Sequence, residues 1–284
     1  MRDSYFDIPA MSNSALKWFK KSPMHYQWYI NNPPPPSKEM AFGSAFHTII
    51  LEPEKFKYLY VVADTEKRPE KDKGMTSNKN KAWLAGLGFG GKEILKKEEF
   101  DTLQRIRDAV MKNGFAKELV TDSKNQIEQG IYWEHNDIQC KGKVDILNSG
   151  FMADLKTCAD ASPNDFSRTI WNYEYYRQAG MYLDGYGMQT KPFYFIAVEK
   201  TEPFGVSVHK CSQDVIDYGI QEYQELIAQY KMCLESGNWP GYEKDAIYEY
   251  FEAELPKWVK KAEGVKHEVR KPASVNYKGG DLPI

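Results

Sequence analysis

The sequence predicts an α/β chain of the α+β kind, in which short strands alternate with amphipathic helices. Three observations carry this. Residues 142–156 read as two strands joined through Asn148-Ser149-Gly150, which is strong turn chemistry. Runs at 126–133, 191–198 and 204–210 have the length and composition of strands. Around them, residues 97–112, 162–185 and 213–235 carry apolar residues at helical spacing. With 284 residues, 42% of them hydrophobic and 14% aromatic, the chain has enough apolar material for a sizeable core in one elaborated domain.

In chain order, Ser12 or Ser14 caps a helix through Leu16 and Phe19, with Lys17, Lys20 and Lys21 mostly on its other side. Without context these lysines read as a solvated face. Pro33 to Pro36 form a stiff extended spacer. Residues 38–52 read as a strongly apolar helix that Pro53 stops. Gly43 and His47 are four apart and share its face. Glycine costs about 1 kcal/mol in a helix interior relative to alanine, so Gly43 predicts the close approach of another backbone. His47 taken alone is more often a hydrogen-bonded core residue than a ligand, and the segment leaves both roles open.

A strand is expected at 58–62, and residues 63–81 as a mobile loop made basic by Arg68, Lys71, Lys73, Lys79 and Lys81. Gly86, Gly88, Gly90 and Gly91 lack the Lys-Ser/Thr that follows a phosphate-binding loop, so no nucleotide site is read there. The helix at 97–112 stops at Asn113-Gly114. The helix opening at Ser162-Pro163 is expected to run unbroken through Trp171, Tyr175, Gln178 and Tyr182 to about Gly185. Gln178 and Tyr182 share one face of it, and a core role for Tyr182 is the plain structural alternative. The last helix ends at Ser236-Gly237-Asn238.

Formal net charge is −2, so a nucleic-acid partner would need basic residues gathered locally. No signal peptide and no bilayer-spanning apolar run is read. Cys140, Cys158, Cys211 and Cys233 are scattered without Cys-x-x-Cys pairs, which fits reduced thiols in the cytoplasm.

The hairpin carries the chemistry. Asp145 lies on its first strand, and Asp154 and Lys156 share one face of its second. A two-residue loop at Ser149-Gly150 places Asp145 opposite Asp154, with Cβ atoms about 4.5–5.5 Å apart; a three-residue loop makes the pair diagonal. Adjacent carboxylates repel unless a cation sits between them. Mg²⁺ commonly takes one or two carboxylates together with substrate phosphate. A solvated surface hairpin is the alternative, and the apolar flanks of both acids argue against it. Glu128, on the preceding strand, is a further metal-side acid or an ion-pair partner.

In order, Gly43-x-x-x-His47, Gly142-x-x-Asp145, Asp154-Leu155-Lys156 and Gln178-x-x-x-Tyr182 resemble the PD-(D/E)xK nuclease superfamily. Within it the closer resemblance is to the RecB-like branch and its phage and prophage exonuclease VIII (RecE-type) group. Met11-Ser12-Asn13-Ser14, Lys21-Ser22-Pro23 and the stretch from Phe42 to Glu54 also look like that group. The resemblance spans roughly residues 10–230. Many RecB-like nucleases place an acid four residues after the histidine; here that position is Leu51, and Glu52 is one residue further.

The resemblance implies a central mixed β-sheet flanked by helices, with helical additions at the N-terminus. It implies an exonuclease domain over residues 1–240, with its core at about 40–235, and a partly flexible extension over 241–284. His47, Asp145, Asp154 and the Leu155 carbonyl would hold Mg²⁺, with Mn²⁺ as a substitute. Lys156 would orient the attacking water, and Gln178 and Tyr182 would position DNA or brace Lys156. Ser14 with Lys17 or Lys20 would hold a 5′ phosphate at a helix start. The implied activity is Mg²⁺-dependent exodeoxyribonuclease action on ends of double-stranded DNA. It would run 5′ to 3′ and leave a 3′ single strand for a phage-type annealing recombinase. A homo-oligomer, in ring form around DNA, is implied as well, in the bacterial host's cytoplasm if the protein is phage-encoded. An endonuclease of the same fold, and a non-catalytic DNA-binding or assembly protein, are the competing readings.

Overall fold

The computed structural model describes residues 4–242 apart from residues 36 and 89. After a single 3-10 turn at Ser4–Asp7 come two short helices, α1 (Asn13–Lys21) and α2 (Pro23–Asn31). Ser12 caps α1 by accepting from the Ala15 amide at 3.3 Å. Ser22 ends α1 and caps α2, whose first residue is Pro23. Next, α3 (Lys38–Leu51) stops at Glu52 as Pro53 requires. Pro53 also opens a new helix, α4 (Pro53–Leu59), so the strand expected at 58–62 begins two residues later, as β1 (Tyr60–Ala63).

The basic segment that follows is a loop up to α5 (Asn78–Leu87). β2 (Glu93–Lys96) then pairs in parallel with β1 in a small two-stranded sheet. α6 (Lys97–Lys112) buries Leu103, Ile106 and Val110 and ends at Asn113, whose side chain caps α7 (Gly114–Thr121).

The main sheet follows: β3 (Gln126–His135), β4 (Ile138–Asn148), β5 (Phe151–Cys158), β6 (Phe193–Glu199) and β7 (Val206–Lys210), hydrogen-bonded in that order. All neighbours are antiparallel except β5 and β6. That parallel step needs a crossover, supplied by α8 (Pro163–Asn172) and α9 (Tyr175–Gly185). The expected unbroken helix is therefore two. Glu174 breaks it in the left-handed conformation, at φ 60°. The last described helix is α10 (Gln213–Ser236), closed by Gly237 at φ 69°.

Both faces of the sheet are covered. Leu16, Phe166, Tyr176, Leu183 and Tyr223 pack on one side with Val144, Met152 and Phe195. Phe46, Ile49, Leu103, Ile106 and Leu119 pack on the other with Ile146, Ala153, Leu155 and Ile196. The fold is thus a mixed sheet between helical layers, as expected. Each fully buried Leu, Ile or Phe contributes about 1.5–3 kcal/mol. Helices α9 and α10 touch backbone to backbone, since a Cβ on Gly219 would lie 2.2 Å from the Tyr176 carbonyl oxygen.

Residues Met1–Gly241 form one compact unit. The C-terminal extension and its basic residues lie, from residue 243, outside the described residues. All four cysteines are buried and none is in a disulfide. Among the described residues, no helix is long and apolar enough to cross a membrane.

Candidate active site and metal centre

The site forms where β4 and β5 part. Asn148 pairs with Phe151, so the loop is the two residues Ser149-Gly150, and Asn148 Oδ1 accepts from the Gly150 amide at 3.0 Å. The ladder continues through Leu147–Met152 and Ile146–Ala153 and then stops. In that register Asp145 is the next residue opposite Asp154. Instead of a strand carbonyl, the Asp145 carboxylate accepts from the Leu155 amide, at 2.8 Å.

A second distortion lies on the other side of Asp145. The β3–β4 register pairs Ile127 with Ile146 and Gln129 with Val144, which sets Glu128 opposite Asp145. Glu128 adopts φ 55°, seldom occupied without glycine. The face alternation of β4 slips at this level, because Val144 and Ile146 join opposite core layers.

His47 reaches these acids from α3. Its Nδ1 lies 3.4 Å from both Glu128 Oε1 and Asp145 Oδ2, and its Nε2 lies 3.1 Å from the Leu155 carbonyl oxygen. His47 is thus neither a plain core histidine nor isolated from the acids. Burial pushes its imidazole down, but Asp145 and Glu128 overcome this and raise it to about 10. Asp145 is itself held below the usual carboxylate range; burial works against this, and His47, Lys156 and the Leu155 amide outweigh it. Of the two roles expected of Glu128, the structure shows the ion pair, with Lys143 at 2.8 Å, and it sets the carboxylate beside Asp145 across His47 Nδ1.

Asp154 and Lys156 turn toward α9, with the same parity as Met152 and Cys158 in that layer. Asp154 is 2% exposed. Gln178 Nε2 donates to its Oδ2 at 2.5 Å. Its Oδ1 lies 2.5 Å from Lys156 Nζ, an ion pair without hydrogen-bond alignment. Burial, then Asp145, pushes the Asp154 carboxyl up to about 6. Lys156 Nζ also sits 4.6 Å over the ring of Tyr175. Burial disfavours its charge, but Asp154 and Asp145 win and raise its pKa, so it remains an ammonium.

Gln178 therefore holds Asp154 and does not brace Lys156. Tyr182 is a core residue, and its ring lies on Gly142, where a Cβ would come within 2.6 Å of it. Two of the sequence motifs are thus joined by packing, Gly142 with Tyr182. Gly43 departs from expectation: nothing lies within 4 Å of where its Cβ would stand. It borders an open cleft of about 420 Å³, shared with His47, Glu52, Glu128, Lys143 and Asp145. Glu52 reaches this cleft and pairs with Lys55.

On α1, Ser14 and Lys17 are exposed. Lys20 is not a loose cation, because it pairs with Glu222 at 2.8 Å and Glu174 at 3.0 Å. Tyr175, which the sequence placed merely within a helix, emerges as the cover of Lys156; no motif marks it.

The donors suit a hard divalent cation. Histidine and carboxylate donor atoms of His47, Glu128 and Asp145 lie within 4.8 Å of one another. Ligands about 2.0–2.1 Å from Mg²⁺ sit about 3 Å apart in cis, near the 3.4 Å that separates His47 Nδ1 from both Glu128 Oε1 and Asp145 Oδ2. Asp154 stands outside this trio, its oxygens taken by Gln178 and Lys156. Its unaligned Oδ1 is the buried acceptor that lacks a hydrogen-bond donor.

Over residues 12–250 the chain matches the family described as a PDDEXK-like domain of unknown function (DUF3799). Among solved structures, it is similar to one described as a "Putative exonuclease" from Eubacterium rectale. The two are 13% identical, the match covers 90% of this chain and 94% of that one, and the TM-score is 0.58. At that identity the likeness is one of fold. The structure of SSO0001 is 11% identical over 63% of this chain and 84% of that one; its TM-score of 0.26 carries no argument. No curated protein matches.

Proposed function

From the premise that this chain belongs to the PDDEXK-like DUF3799 family, and so to the PD-(D/E)xK nuclease superfamily, we propose that it is a metal-dependent exodeoxyribonuclease. The observation that carries this is the gathering of Asp145, Asp154, Lys156, His47 and Glu128 at the opening between β4 and β5. Two buried acids opposite each other are costly without a cation, and hydrolysis of a phosphodiester is the chemistry such a pair serves.

Asp145, Glu128 and His47, with Asp154 and the Leu155 carbonyl, would hold the cation, Mg²⁺ or Mn²⁺. When bound, it supplies Lewis-acid stabilisation of the phosphate and a more acidic water. Lys156, held as an ammonium by Asp154, is a fixed positive charge for the attacked phosphate and is no general base in this state. Tyr175 shields that ammonium from water on one face. Gln178 fixes the Asp154 carboxylate from behind. The open space over Gly43 leaves room for the DNA backbone beside His47.

The substrate is the end of linear duplex DNA, degraded 5′ to 3′ to leave a 3′ single strand for an annealing recombinase. The ordered motifs shared with the RecE-type group support this reading, as they do a homo-oligomeric ring acting in the cytoplasm. Duplex DNA labelled at either end is incubated with Mg²⁺ or EDTA beside a covalently closed circle. Mg²⁺-dependent release of the 5′ label as mononucleotides, with the circle intact, is the expected result. Cutting of the circle moves the assignment to an endonuclease; binding without any cleavage makes the site non-catalytic.

A further inference from the structure

An aromatic path leads out of the site along the α8–α9 break. Tyr175, over Lys156 Nζ, is stacked with Tyr173, their centroids 5.6 Å apart and their planes 21° from parallel. Tyr173 is 56% exposed, unusual for a ring so near a buried ion pair. Lys17 of α1, itself exposed, holds its ammonium 5.6 Å from the Tyr173 centroid.

The break that displays Tyr173 is built. Glu174 keeps a left-handed backbone without being glycine. Arg177, fully buried, donates to Glu174 at 2.7 Å, to Glu222 at 3.0 Å and to Asn13 at 2.9 Å. An unbroken helix would have cost none of this arrangement. Strained backbone held by its surroundings is a reason to look for a function.

We propose that Tyr173 is a stacking platform that takes the base of an unpaired nucleotide on the α9 side of the site, with Lys17 moving off the ring to pair with that nucleotide's phosphate. Every base has a π-face, so an exposed tyrosine beside an exposed cation suits a single strand of any sequence. Tyr173 is one ring removed from Lys156, since Tyr175 lies between them, so a strand held there runs on toward the residues that would act on a neighbouring phosphate. This rests on the nuclease reading and adds to it a demand for a frayed or single-stranded end. A protein partner would have no use for continuity with Lys156.

The test is binding of the full chain in EDTA, read by fluorescence anisotropy, so that no cleavage enters. The probes are DNA hairpins with a blunt end, with a three-nucleotide overhang of either polarity, and with the same overhangs made abasic. Wild type binds one of the base-bearing overhangs more tightly than its abasic counterpart and the blunt end. Tyr173→Ala weakens that binding about fivefold or more, the low end for one base stacked on an aromatic ring. It leaves blunt and abasic ends unchanged, and Tyr173→Trp restores the overhang. Lys17→Ala weakens the base-bearing and abasic overhangs similarly, lowers the salt slope of their binding by about one, and leaves the blunt end unchanged. Phe115→Ala, an exposed aromatic on α7 packed against Tyr194, changes nothing. Equal effects of Tyr173→Ala on base-bearing and abasic ends, or no effect, overturn the platform. The nuclease reading stands or falls separately, on the Mg²⁺ cleavage assay.

Discussion

Gln178→Leu tests how the site keeps a buried carboxylate ready for a cation. Leucine keeps the volume and removes the amide that donates to Asp154 Oδ2 at 2.5 Å. A hydrogen bond to a charged group is worth about 1.5–3 kcal/mol. At about 1.36 kcal/mol per pKa unit, its loss raises Asp154 by about one to two units. Burial and Asp145 already place that carboxyl at about 6, so the variant would titrate at about 7 to 8. At pH 7 wild-type Asp154 is mostly ionised, and in the variant its ionised fraction drops by about two- to tenfold.

Protons and the cation compete for this oxygen, so the sign follows directly. Affinity for Mn²⁺ or Mg²⁺ falls by that factor at pH 7 and recovers at pH 9, where both proteins are ionised. Calorimetric metal titrations at the two pH values measure it, with the cleavage rate followed alongside. A loss of equal size at pH 7 and pH 9 would refute the reasoning, because Gln178 would then be acting through shape or through the substrate. No loss at either pH would make the hydrogen bond inconsequential.

Three further outcomes are expected. Lys156→Ala lowers the cleavage rate strongly and costs metal affinity less than Asp154→Ala does, since Lys156 acts as a fixed ammonium and touches the cation's ligands only through the Asp154 carboxyl it holds down; a loss of metal affinity as large as that of Asp154→Ala would contradict the role. Gly142→Ala sets a Cβ 2.6 and 2.8 Å from two carbons of the Tyr182 ring. Overpacking of this kind costs about 1–3 kcal/mol, read as a drop in Tm of roughly 2–4 °C per kcal/mol; an unchanged Tm would mean that the two motifs are not packed as one unit. Glu174 is held below its ordinary carboxylate value, burial opposing and Arg177 and Lys20 prevailing. Its stabilisation is therefore present above the ordinary value of 4.5 and lost as pH falls through its lowered value. Glu174→Gln is accordingly less stable than wild type at pH 7, and in urea unfolding the gap narrows steadily as the pH is taken below 4.5. A gap that stays constant would refute the linkage.

The hairpin was legible because its turn chemistry is local, but Asn148-Ser149-Gly150 allowed a loop of two or three residues, and only the pairing of Asn148 with Phe151 decides which acids face each other. The five-strand sheet was legible from the length and composition of its segments. Glu128 was harder, since its importance depends on the β3–β4 register; pairing Ile127 with Ile146 is what puts it opposite Asp145. The break at Glu174 left no mark, because it has neither glycine nor proline and is maintained by Arg177, Lys20 and residues distant in sequence. Gly43 misled in the opposite direction, since a helix glycine can face an open cleft as well as a neighbouring backbone. Short elements such as β2 and α7 are too brief for periodicity to register.

The sheet obeys its own rules until it reaches the acids and breaks them there. The β4–β5 ladder ends, the Leu155 amide turns to a side chain, and Glu128 takes a backbone conformation it would not choose. Each departure weakens the sheet, and together they bring like charges into a buried space. Within the fold the charges are met by side chains. The His47 imidazolium lies between Asp145 and Glu128, and the Lys156 ammonium lies on Asp154. His47 thus occupies electrostatically the place a divalent cation would take. In the proposed role as a ligand it would have to give up the proton that these same acids hold on it. A sequence that violates sheet propensity at this level while keeping every other strand regular places its conflicts where chemistry is done.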